Sequence, residues 1–197
     1  MKKTLRRALY RTLVASSCGY LPHLDPPGAI QFVTFHLVDA GKPNPRRSGA
    51  DEDVDVRRWF AGYESELHTG RGACILRLTS CATAIADALL RYEPDRYDLL
   101  AWVVMPNHVH VMVRLARGVR LSAVVHGWKR ASATAINRAL RRNGPVWFPE
   151  HFDRVVRAAD DADAIRGYIE MNPVRAGLVA TPGDWPYSSI RGRIAGR

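Results

Sequence analysis

Residues 97–115, YDLLAWVVMPNHVHVMVRL, allow one local structure: a strand, a tight turn and a second strand. Both arms are rich in β-branched and aromatic residues, and Pro106-Asn107 supplies the turn between them. From His108 the second arm alternates strictly. His108, His110, Met112 and Arg114 share one face, and Val109, Val111, Val113 and Leu115 share the other. The valine face is core, which leaves the histidine face for chemistry. Two imidazoles at i and i+2 of a strand stand roughly 6 to 7 Å apart, close enough to turn a nitrogen each towards one ion or phosphate. The competing reading of an isolated His-x-His is a solvated polar face on a half-exposed strand.

A chain of 197 residues with 47% apolar content can bury one substantial core, so a single domain is expected. Its 29 Lys plus Arg stand against 19 Asp plus Glu, and only four of the 29 are Lys. Arginine's planar fork suits bidentate contact with phosphate and stacking on bases, so a net charge of +10 favours nucleic acid as partner. A coding bias towards Arg gives the same composition. Cys18, Cys74 and Cys81 lack the spacing of a zinc site and read as reduced thiols of a cytosolic protein. Arg6, Arg7 and Arg11 interrupt any secretory apolar core near the N-terminus, and no run approaches the roughly 18 apolar residues of a membrane span. A cytoplasmic, nucleoid-associated protein is expected.

Residues 1–20 read as a basic arm, 21–190 as the domain and 191–197 as a tail. Residues 30–38 have strand composition, with His36 at the strand end and without chemical duty. Residues 39–50 read as loop. From Asp51, the stripe of Val56, Trp59, Phe60, Tyr63 and Leu67 predicts a helix whose acidic start suits the dipole. Residues 73–78 read as a short strand or link, and 79–92 as a helix burying Cys81, Ile85, Ala88, Leu89 and Tyr92. Ser122 is expected to cap a helix reaching about Arg142. Lys129 and Arg130 lie on that helix, on a surface that could follow a phosphate backbone or simply be solvated. Residues 146–157, VWFPEHFDRVVR, set Trp147 beside Arg154, the mixture that base stacking and phosphate contact require, although a core strand with a polar edge reads alike. The last clear helix opens at Asp160 and is expected to stop at Asn172, before Pro173. Along it Ile165, Tyr168, Ile169 and Asn172 form one stripe, which places a phenol and an amide side by side at i and i+4. Arg175, just beyond, completes the candidate DNA-contacting set.

In this order the segments YDLLAWVVMPNHVHVMV, WKRASATAINR, VWFPEHFDRVVR, YIEMNPVRAGLV and DWPYSS resemble the HUH-type single-tyrosine transposases, in the branch of REP-associated tyrosine transposases. The resemblance runs from about Pro22 to Ser189. It implies an α/β (α+β) fold, a ferredoxin-like antiparallel sheet with flanking helices, the His-Val-His motif lying on a central strand. It implies Tyr168 as nucleophile, and His108, His110 and Asn172 as ligands of Mg²⁺ or Mn²⁺. The partner implied is single-stranded or hairpin DNA from palindromic repeats. A homodimer is compatible with the resemblance, although no stretch reads as a dimer helix.

The activity implied is metal-dependent cleavage and strand transfer through a 5′-phosphotyrosine, which conserves the phosphodiester energy so that no ATP is needed. Two alternatives stand beside it. One is a domesticated hairpin-binding protein with little turnover, which would not require all four site residues. The other is a phosphodiesterase in which water attacks and Tyr168 only packs.

Overall fold

The computed structural model describes residues 15–17, 22–24, 28–41, 62, 64–156 and 159–194. Most of the expected basic arm, the loop 42–50 and the acidic start of the helix from Asp51 lie outside the described residues. Two short strands, β1 (Ala15–Ser17) and β2 (Pro22–Leu24), pair antiparallel. The main sheet comprises β3 (Ile30–His36), β4 (Tyr97–Val104), β5 (His108–Leu115) and β6 (Phe152–Val156), in the spatial order β4-β5-β3-β6 with every neighbour antiparallel. Helix α1 (Thr79–Leu90) links β3 to β4, and α2 (Leu121–Ala139) links β5 to β6. This is the ferredoxin-like βαββαβ arrangement, and β5 is an inner strand as expected.

Each sheet face has its own cover. Val33, Phe35, Val109, Val111 and Val113 are fully buried on one face, where the Trp128 ring of α2 stacks 6.4 Å from Phe35 and meets Tyr97 edge-on. On the other face β3 brings Phe32, Thr34 and His36 opposite Met112, His110 and His108. Helix α3 (Ala159–Arg175) covers that side, with Tyr168 edge-on to Phe32 at 6.2 Å. The histidine face is therefore not a solvated edge: His108 is 1% exposed, and His110 and Met112 are fully buried.

Several boundaries differ from expectation for local reasons. Helix α2 starts at Leu121 with Arg120 as its N-cap and no side-chain cap bond, so Ser122 lies inside the first turn. Residues 75–77 form a 3₁₀ turn rather than a strand. Tyr92 lies beyond α1 and is exposed, flanked by the guanidinium groups of Arg91 and Arg96. Helix α3 runs through Pro173 to Arg175, because losing one N–H near a C-terminus removes a single bond. The next turn still closes through Ala176 N–H to Asn172 O, and Gly177 in the left-handed region ends it. The C-terminal segment docks on β4: Trp185 donates to Val104 O, and Ser188 bridges Val103 before α4 (Ser189–Ile194).

Candidate active site

The Pro106-Asn107 turn orients the first imidazole. Asn107 Nδ2 donates to the carbonyls of Leu67 (3.0 Å) and Arg71 (3.2 Å), which fixes its amide and turns Oδ1 to His108 Nδ1 at 2.7 Å. An oxygen acceptor there requires the proton on Nδ1, so His108 Nε2 keeps its lone pair. That lone pair faces His110 Nε2 at 3.1 Å. The two rings are 4.7 Å apart, nearer than the strand repeat alone suggests, because they turn towards each other. His110 Nδ1 meets the Thr34 hydroxyl at 2.8 Å. A hydroxyl can donate or accept, so His110 is free to adopt either tautomer.

Burial makes both rings poor bases. Desolvation, then the neighbouring His110, His68 and His36, holds His108 well below its ordinary range, and desolvation followed by His68 drives His110 down to about 3. Both are therefore neutral at pH 7 and carry the lone pairs that ligation or hydrogen bonding uses.

Helix α3 delivers the remaining expected groups. The Tyr168 ring lies edge-on to His110 at 5.6 Å, and its hydroxyl is buried without a hydrogen-bond partner. The Arg175 guanidinium lies 5.3 Å above the centre of that ring. One turn beyond Tyr168, Asn172 is fully buried; its Oδ1 accepts from His68 Nε2 at 3.1 Å and its Nδ2 has no partner. His68 in turn lies 5.8 Å, ring to ring, from His108.

A helical turn spanning 64–68 adds two residues that sequence reasoning did not single out. Glu64 is 7% exposed, and its Oε1 lies 3.2 Å from His110 Nε2 without forming a hydrogen bond. Burial pushes its pKa up to about 8 despite the opposing charge of Arg175. His68 follows at i+4, so both point from one face of the turn. That spacing was the available signal, but the partner strand is more than forty residues away in the chain. Among the described residues no three His, Cys, Asp or Glu side chains are spaced around an ion. In this pocket the donor atoms touch one another.

The expected DNA-contacting residues divide. Arg154, opposite Phe32 on β6, and Arg175 lie on the histidine face. Arg130 is exposed on α2, across the sheet. Lys129 donates to the carbonyls of Phe148, Pro149 and Glu150 at 2.9 to 3.0 Å, so its ammonium holds the loop before β6 together. Trp147 is 7% exposed, bonded to the Ser132 hydroxyl and packed edge-on against Phe35. Its indole belongs to the core and has no face for a base.

A family model described as IS200-like transposase matches residues 81–172, a span that holds His108, His110, Tyr168 and Asn172 together. The match spans 92 of the 197 residues, from α1 to one turn before the end of α3. Among curated proteins, the chain is 27% identical over 119 residues to the REP-associated tyrosine transposase of Escherichia coli K12, covering 60% of this chain and 70% of that one. It is 25% identical over 104 residues to a protein of Haemophilus influenzae named a putative REP-associated tyrosine transposase, covering 48% of this chain and 59% of that one. A solved REP-associated tyrosine transposase bound to a REP hairpin superposes with a TM-score of 0.59 at 22% identity, over 93% of this chain and 87% of the other. At that identity the likeness is one of fold. Among the described residues no helix is long and apolar enough to cross a membrane.

Proposed function

We propose that this chain cleaves and rejoins single-stranded DNA at hairpin-forming repeats, with Tyr168 as nucleophile. The observation that carries the reading is the Tyr168 hydroxyl, buried and unpartnered beside the His110 ring. A buried phenol without a hydrogen bond costs stability in a purely structural role, whereas a nucleophile must keep its oxygen uncommitted.

In the proposed reaction Tyr168 Oη bonds to the phosphorus as the bond to the 3′-oxygen breaks, leaving a 5′-phosphotyrosine and a free 3′-OH. Arg175 sets positive charge over the ring where phenolate charge develops. Reversal by the 3′-OH of another strand completes transfer.

The residues present suit a divalent ion. His108 Nε2 and His110 Nε2 converge to 3.1 Å, which sets two imidazole nitrogens of neutral rings side by side. The orphaned Asn172 Nδ2 points the same way: rotating the amide offers its oxygen to the pocket while His68 accepts from the nitrogen. His108, His110 and Asn172 would hold Mg²⁺ or Mn²⁺, which when bound supplies Lewis-acid stabilisation of charge on the scissile phosphate.

Hairpin DNA is the substrate proposed by likeness, since the solved structural neighbour was bound to a REP hairpin. The test is a denaturing gel of end-labelled single-stranded hairpins incubated with the protein and Mn²⁺, Mg²⁺ or chelator. A metal-dependent protein–DNA adduct is expected in the wild type, and none in His108→Ala. Hairpin binding without an adduct in the wild type would leave a binding protein instead.

A further inference from the structure

We propose that the C-terminal end of α2, through Arg138, Arg141 and Arg142, holds phosphates of the duplex stem of a hairpin whose single-stranded flank reaches Tyr168; the inference rests on the function proposed above. The first argument is charge. From Leu99 to Pro149 the chain has no Asp or Glu but carries eight Lys or Arg. Arg138, Arg141 and Arg142 are exposed, and among the described residues no carboxylate pairs with any of them. A run of cations without counter-charge suits a polyanion. The exposed aromatic among the described residues, Tyr92, precedes Tyr97, which pairs with Leu115 at the opposite end of β5 from His108. Phosphate contact without a stacking platform fits a duplex rather than a single strand.

The second argument is backbone conformation. Helix α2 closes with Arg141 N–H to Arg138 O at 3.2 Å and Arg142 N–H to Asn137 O at 2.9 Å, a Schellman ending that holds Arg141 at φ +50°. Glycine takes that left-handed position without strain, whereas an arginine there costs stability. The helix dipole accounts for Arg138, in the last turn, but not for an arginine in the left-handed position. Arg142 is oriented as well: its Nε donates to Asn137 Oδ1 at 3.2 Å while Asn137 Nδ2 donates to Gly144 O at 2.9 Å, which leaves the two terminal guanidinium nitrogens for a phosphate. The third argument is placement. Just past His36, which pairs with His108, Leu37 bridges Trp147 and Val38 N–H donates to Val146 O. Residues 143–145 alone separate that ladder from Arg142, so α2 ends at the end of the sheet that carries the histidine pair. Arg130 lies about 12 Å farther back along the helix axis.

The experiment is fluorescence anisotropy of the full chain over a tenfold range of salt, with two synthetic DNA probes that share one single-stranded flank, only one of which carries a fully paired hairpin stem. A double variant carrying Arg141→Gly and Arg142→Gln is expected to lower the slope of log affinity against log salt by about 1.8 on the stemmed probe, two duplex phosphates at roughly 0.9 each, and to leave the stemless strand unchanged. An unchanged slope on the stemmed probe, or an equal loss on both probes, overturns the stem contact. Arg141→Gly alone separates binding from folding: glycine relieves the left-handed strain, so the thermal midpoint should rise while stem binding weakens. A raised midpoint with wild-type stem binding also overturns the assignment. The same stemmed probe on a denaturing gel keeps the two readings apart. A stem-dependent slope in the wild type without a covalent adduct would overturn strand transfer and leave the stem contact in place.

Discussion

Tyr168 offers a test in which function and stability part company. Its hydroxyl makes no hydrogen bond in a buried setting, so Tyr168→Phe removes a desolvated polar atom without orphaning a partner. Chemical denaturation is expected to show stability unchanged or raised by up to about 1 kcal/mol. Hairpin affinity should stay within about twofold while the covalent adduct disappears; retained adduct would remove Tyr168 as nucleophile. The buried ionisable groups set a second expectation, for protein in chelator. His36 (about 4), His110 (about 3) and His108 all titrate below their ordinary 6.5 in the fold, so the unfolded chain binds more protons as pH falls through 6.5. Glu64, raised from 4.5 to about 8, has the opposite sign: its folded form holds a proton that the unfolded chain releases. Between roughly pH 4.5 and 6.5 three imidazoles oppose one carboxyl, and stability should rise with pH by up to about 3 kcal/mol per unit. From 6.5 to 8 Glu64 acts alone and stability should fall, by up to about 1.4 kcal/mol per unit. Urea midpoints across this range check the maximum near pH 6.5, and Glu64→Gln should abolish the alkaline fall. At this scale the strand alternation and the helical stripe made His108, His110, Tyr168 and Asn172 legible in the sequence. Glu64, His68 and Thr34 were hidden because nothing local distinguishes a buried Glu from a solvated one.

The site depends on the loop that follows the 64–68 turn as much as on the strands. Asp39 Oδ2 accepts from Ala73 N–H, and this closure leaves no room beside Gly72, whose φ is +86° and where an added Cβ would meet Asp39 backbone and side-chain atoms at 2.8 Å. Gly72→Ala combines backbone strain with a clash, and a loss of about 1 to 3 kcal/mol is expected. The same change should loosen Arg71 O from Asn107 Nδ2 and so disturb His108. Gly127, within α2, has open space around a Cβ and an ordinary helical conformation, so Gly127→Ala should gain about 0.5 to 1 kcal/mol. Opposite shifts of the thermal midpoint check the pair; equal shifts would show that the Asp39 contact does not constrain the loop. Elements with strong periodicity, β3 to β5 and α1 to α3, were legible in the sequence. The end of α3 was not, because the rule against Pro counts one lost N–H and ignores the packing of Ile169 and Asn172 that carries the helix onward. The fate of residues 146–157 was equally hidden, since a core Trp and a base-stacking Trp have the same neighbours in sequence.

Across the whole molecule the sheet separates two basic surfaces. Helix α2 and its Arg130 cover the valine face, while Arg154 and Arg175 stand on the face that holds Tyr168. A net charge of +10 attracts DNA to either side, but a strand whose phosphate reaches Tyr168 must lie along the second. Each phosphate neutralised on a single strand contributes roughly 0.7 to the slope of log affinity against log salt. Arg154→Ala and Arg175→Ala are therefore each expected to lower that slope by about 0.7 for a hairpin with a single-stranded extension. Arg130→Ala should leave the slope nearly unchanged, because its guanidinium lies behind the sheet from the scissile position. Fluorescence anisotropy over a tenfold range of salt measures all three variants. If Arg130→Ala moves the slope as far as the other two, the hairpin stem must wrap around the sheet edge, and both faces would then belong to one binding surface.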